Sequence, residues 1–297
     1  EILAIVETAA EAGFDALYAT DHLLLPSTNA ELKQRAGADV PDDDPDAEQE
    51  GYLECFTVLS ALAVAVPRLR LGTLVACTSY RNPGLLAKIA VTLDDVSGGR
   101  LVLGLGAGDS LGEHRTFGFP EEGPVGRLEE TLVILKALFR GETVDVTSTS
   151  HRLRGARLIP PAPRPGGPPI LIGTLNPRSR MRRLVAQHAD LWNAWLANTD
   201  STAAEAERQL EIIDAACREH GRDPVSLGAT ATVRCAIPGS GYVPRPDERP
   251  LEGTPREMAE VLRGHAALGI SEVQVALTME GVRGVEAFQP VIAELRG

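Results

Sequence analysis

The segment FDALYATDH (14–22) is a short apolar, partly aromatic run that stops at Asp21 and His22. That composition predicts a strand, with both polar side chains at its C-terminal end. An imidazole gains or loses a proton near neutral pH, and an adjacent carboxylate can set its tautomer and raise its pKa. A second cluster, GLGAGDSLG (104–112), leaves a strand through Ala107 and Gly108 to Asp109. The G-x-G-x-x-G pattern of dinucleotide sites fails here, because Asp109 and Leu111 stand where the third glycine is required. Close approach of backbone to a flat ligand explains the glycines, with a tight strand-to-loop turn as the alternative. A third segment, IGTLNPRS (172–179), runs from a strand through Gly173, Thr174 and Asn176 into a helix start. Exposed N–H groups and the helix dipole favour an anion there, and Arg178 and Arg180 add positive charge.

Other chemistries find little support. The four cysteines (55, 77, 217 and 235) are far apart and the six histidines show no ligand spacing, so no metal site is expected. A net charge of −12, from 41 acidic and 29 basic residues, argues against a nucleic-acid partner. No apolar run reaches the roughly 18 residues of a membrane span, and no signal peptide is visible. A cytoplasmic location is expected.

The elements that must position these residues alternate along the 297-residue chain. Strands are expected at 14–21, 70–77, 101–106, 168–173, 189–195, 227–237 and 272–277. Helices are expected at 1–12, 53–66, 84–96, 126–141, 177–188, 202–220, 254–269 and 284–296. Thr254 serves as N-cap and Pro255 takes the first helical position of the penultimate helix. Strict β–α alternation implies a parallel sheet. Eight helices and seven strands predict an α/β fold, a (β/α)₈ TIM barrel whose first strand precedes residue 1; a doubly wound sheet is the alternative. One domain over 1–297 is expected, with an insertion at about 142–168 and lid loops at 26–50 and 238–253. A barrel builds its site at the C-terminal strand ends, which is where the three polar clusters fall.

Together, AAEAGFDALYATDH (9–22), RLGTLVACTSYRNPGLLAKIAVTLDDVSGGRLVLGLGAG (70–108), EHRTFGFP (113–120), RLEETLVILKALFRG (127–141) and PPILIGTLNPRSRMRRLVAQHADLWNA (168–194) resemble the luciferase-like family. The resemblance is to its coenzyme F420-dependent branch, and it covers most of residues 1–195. It implies a TIM barrel with an insertion and a deazaflavin or flavin ring lying across the strand ends. Asp21 and His22 would then face the ring or the substrate, and a non-prolyl cis peptide at Leu74–Val75 would back the ring. Cys77, Ala107 and Gly108 would line the cofactor, and the 173–177 turn, with Gly173, Thr174 and Asn176, would lie near its phosphate side. Asp109 falls where sugar-phosphate-oxidising relatives carry a catalytic glutamate. Those relatives also carry a tryptophan where this chain has Pro26, so sugar-phosphate oxidation is not implied.

Hydride transfer between F420 and a small organic substrate is therefore the expected activity, with His22 and Asp109 as the catalytic pair. The first alternative is an FMN-dependent monooxygenase served by a separate flavin reductase. Luciferase-type sequences show Glu-His-His at the first rim and an arginine between the third-rim glycines; Asp21-His22-Leu23 and Ala107 favour the deazaflavin. The second alternative is a cofactor-binding barrel without turnover. Substrate identity, reaction direction and any homo-oligomer stay open.

Overall fold

A computed structural model describes residues 1–26, 49–174 and 178–297. In chain order the described elements begin with α1 (Ile2–Ala12), β1 (Ala16–Ala19), β2 (Leu24–Pro26), β3 (Gln49–Gly51) and α2 (Cys55–Ala65). Next come β4 (Arg70–Thr73), β5 (Ala76–Cys77), α3 (Pro83–Val96), β6 (Leu101–Gly106), α4 (Leu111–Phe117) and α5 (Pro124–Phe139). The middle holds β7 (Val144–Thr147), β8 (Arg152–Ala156), β9 (Ile170–Thr174), α6 (Ser179–His188) and β10 (Leu191–Trp195). The chain closes with α7 (Ala203–Glu219), β11 (Gly228–Cys235), α8 (Pro255–Ala267), β12 (Ile270–Leu277) and α9 (Gly281–Arg296). None of the described helices is long and apolar enough to cross a membrane.

Residues 18–64 and 71–169 make one compact unit. Here β4 pairs in parallel with β6 through Leu71 and Leu101, and β5 pairs with the end of the same strand through Cys77 and Gly106. The two short strands flank the Leu74–Val75 peptide bond, which is cis. All six residues of β6 are buried, the expected pattern for a parallel strand covered on both faces. Leu132, Leu135, Leu138 and Phe139 of α5 are buried, as their spacing predicts. The expected insertion contains the antiparallel pair β7–β8. It is tied back by Arg164, whose Nε donates to fully buried Asp94 of α3 at 2.7 Å.

Residues 1–17, 65–70 and 170–297 make the second unit. In it β9, β10, β11 and β12 run parallel in that order. Gly13 ends α1 at φ 102°, a conformation open to glycine, and its N–H bonds the Ala9 carbonyl. Thr254 and Glu257 form a full capping box at the start of α8. The segment after β11 is tied down at Glu248, a buried carboxylate. Glu248 meets Arg234 Nε at 2.7 Å and accepts the Tyr242 hydroxyl and the Arg245 N–H, while the Arg234 guanidinium lies 5.2 Å from the Tyr242 ring centre.

Candidate functional site

His22 lies three residues beyond β1, and its Nδ1 is 2.8 Å from Oε2 of Glu113 on α4. The Glu113 side chain is fully buried, whereas the imidazole stays 23% exposed. Oε2 also accepts the Tyr80 hydroxyl at 3.2 Å, and Oε1 accepts the backbone N–H groups of Leu23 and Leu24. Burial disfavours the carboxylate, but the bonds from His22, Leu23 and Leu24 outweigh it and hold the Glu113 pKa below its ordinary value. Burial likewise opposes a charged imidazolium. The Glu113 hydrogen bond and the charges of Asp109, Glu113 and Asp21 overcome that and raise the His22 pKa. The Tyr52 ring centre lies 5.9 Å from that of the imidazole.

The sequence expectation paired His22 with Asp109. The structure gives the contact to Glu113 instead, while exposed Asp109 acts on the imidazole through charge alone. Glu113 carried a legible signal: Ser110-x-x-Glu113 is a capping-box pattern opening a short helix. Ser110 does cap α4, accepting the Glu113 N–H at 3.5 Å, but the carboxylate turns to His22.

Asp21 has a different partner from the one its neighbour suggests. It is buried, and Arg81 grips it from Nη1 at 2.5 Å and Nη2 at 2.8 Å. The Cys77 N–H and the Cys55 thiol complete its shell at 2.9 Å and 3.2 Å. Arg81 also bonds Glu54 and stacks 4.8 Å from the Phe56 ring centre. Asp21, Glu54 and Cys55 bring potential ligand atoms within 4.8 Å of one another, but the Arg81 guanidinium already supplies the positive charge at that spot.

Around β5 and β6 the glycines are explained by protein atoms. A Cβ on Gly104 would come within 1.9 Å of the Thr73 carbonyl oxygen, and one on Gly106 within 2.5 Å of Val75 Cγ2. A Cβ on Gly108, at φ 87°, would meet Cys77 Sγ at 2.7 Å. Close passage of the 73–77 segment is sufficient to require glycine at these three positions. Cys77 also faces Nε2 of buried His114 at 3.8 Å, and burial pushes its thiol up to about 11. Ser79 Oγ is buried with no hydrogen-bond partner among the described residues.

Of the remaining expected site residues, Leu74 is buried and Val75 and Ala107 are half-buried. Gly173 and Thr174 belong to the second unit, where the Thr174 hydroxyl accepts the Trp192 indole N–H at 2.8 Å. Asn176 lies outside the described residues, as does nearly all of the expected 26–50 lid. Tyr80, Arg81 and Glu113 were not singled out from sequence.

Solved structures with this architecture include an F420-dependent secondary alcohol dehydrogenase in complex with an F420-acetone adduct. That likeness has a TM-score of 0.75 over 100% of this chain and 94% of the other, at 16% identity. A long-chain alkane monooxygenase gives 0.73 over 99% and 83%, also at 16% identity. These likenesses show the fold, that of the TIM-barrel enzymes. Residues 1–239 match the luciferase-like monooxygenase family, and the chain belongs to it. A phthiodiolone/phenolphthiodiolone dimycocerosates ketoreductase of Mycobacterium tuberculosis is 34% identical over 234 residues, 76% of this chain and 58% of its own length. A 5,10-methylenetetrahydromethanopterin reductase of Archaeoglobus fulgidus is 29% identical over 182 residues, 61% of this chain and 52% of its own. The chain thus spans less than two thirds of the length of these curated relatives.

Proposed function

We propose that the chain carries the reaction centre of an F420-dependent oxidoreductase that moves a hydride between the deazaflavin and a small organic substrate. The observation that carries this reading is the partly exposed His22 imidazole held by buried Glu113 at 2.8 Å. A carbonyl–alcohol interconversion needs a proton delivered or removed beside the hydride, and an imidazole near neutral pKa suits that task. The names of the relatives, a ketoreductase and a methanopterin reductase, support the same direction.

The residues present fit a flat polar cofactor. Ser79 Oγ offers an unspent buried hydroxyl, and Cys77, Ala107 and Gly108 form the adjoining strand-end backbone. When bound, the deazaflavin supplies or accepts the hydride. His22 would exchange the hydroxyl proton with the substrate oxygen through Nε2. Glu113 would steady the charge on that ring, and Asp109 would add a negative field from the solvent side.

A second reading, an FMN-dependent monooxygenase with a flavin-reductase partner, is favoured by the likeness to the alkane monooxygenase. Fluorescence titration separates the two. F420 is expected to bind at least about tenfold tighter than FMN, or roughly 1.4 kcal/mol. Equal affinities, or purification with FMN bound, would favour the monooxygenase.

A further inference from the structure

The orientation of His22 depends on one buried carboxylate. Glu113 is ionised and can only accept hydrogen bonds. The Nδ1 facing its Oε2 must therefore carry a proton, which leaves a lone pair on Nε2 of the neutral ring. Glu113 itself cannot swing away, because Oε1 is fixed by the Leu23 and Leu24 N–H groups and Oε2 by the Tyr80 hydroxyl. We infer that Glu113 is a positioning residue that locks His22 in the Nδ1–H tautomer and so makes Nε2 the proton-accepting atom of the site. The chemical use of that atom rests on the hydride-transfer reading; the tautomer does not.

The geometry also dictates what an isosteric amide would do. In Glu113→Gln the two backbone donors hold the amide oxygen, so the amide NH₂ must face His22 Nδ1. A donor there demands a lone pair on Nδ1 and reverses the tautomer to Nε2–H. Nitrogen-15 NMR of the imidazole in the cofactor-free protein, at pH above the His22 titration, reads this directly. The wild type is expected to show Nδ1 protonated and Nε2 bare, and Glu113→Gln the reverse. Turnover of that variant should fall on the order of 10²-fold, with F420 affinity within a few-fold of wild type. Tyr80→Phe leaves both backbone donors in place and should keep the Nδ1–H form, which provides a test should the glutamine variant fail to fold. A bare Nδ1 in the wild type, an unreversed tautomer in Glu113→Gln, or a reversed one in Tyr80→Phe would overturn the assignment. Failure of F420 to bind would instead overturn the hydride-transfer reading and leave the tautomer result standing.

Discussion

Arg81 holds Asp21 with both terminal nitrogens, and the same guanidinium reaches Glu54, so one cation serves two carboxylates beneath the His22 loop. Its side chain is only 10% exposed and that of Asp21 only 1%. A bidentate pair this dry is firm in geometry, and its removal from one side strands a buried charge.

Arg81→Ala should therefore destabilise the protein by about 3–5 kcal/mol, the scale for breaking a buried pair. Arg81→Lys should recover only part of that loss, because an ammonium cannot make the two-pronged contact. Urea denaturation of the three proteins measures this. Losses under about 1 kcal/mol for Arg81→Ala would show that Asp21 is stable without its partner.

The His22–Glu113 pair predicts a pH window in stability. The His22 pKa is raised above 6.5, so its contribution is complete below that value and is lost as pH climbs through the folded pKa. The Glu113 pKa is lowered from 4.5, so its share is complete above that value and is lost as pH falls through the folded pKa. Together they are worth most between about pH 4.5 and 6.5. The gap in unfolding free energy between wild type and His22→Ala should be widest there and narrow toward pH 9. A gap independent of pH would mean the pair is not coupled to folding.

His22→Ala is expected to lower turnover on the order of 10²-fold or more while F420 affinity changes little. Asp109→Asn should act in the same direction but more weakly, because an exposed carboxylate works through a screened field. Its effect should shrink as salt is raised from about 0.01 M to 1 M, where the Debye length falls from about 30 Å to 3 Å. Steady-state kinetics at both ionic strengths checks this; a salt-independent loss would point to direct contact with the substrate.

Gly108→Ala faces two separable penalties. The left-handed conformation costs a residue with a Cβ about 1–2 kcal/mol, and the new methyl would press on Cys77 Sγ at 2.7 Å and on His114 Nε2 at 3.1 Å. Cys77→Ala made alongside should relieve the sulfur contact and leave the backbone cost and the His114 contact. Thermal melts of the two single variants and the double variant give the interaction. Strict additivity would place the cost outside the Cys77 contact.

Most elements were legible because their signals are local. A short apolar run with a Gly-rich exit located β6 at 101–106 and the Thr254 cap located the start of α8. The wiring of the site was less legible, because it depends on distances between residues far apart in sequence. Asp21 and His22 are adjacent, yet their side chains part, one to Arg81 sixty residues on and the other to Glu113. The 111–117 helix was missed because seven residues are too few for a helical period to stand out. Its Ser110-x-x-Glu113 start was readable, but nothing local says that the glutamate leaves the cap for a distant imidazole.

The clasp at Glu248 bears on what binding near the Pro-rich segment after β11 would cost. Arg234, Tyr242 and the Arg245 N–H fasten that segment to a single buried carboxylate. Its conformational entropy is surrendered during folding rather than on encounter with a ligand. A molecule touching the fastened stretch would meet backbone already ordered and pay little further entropy there.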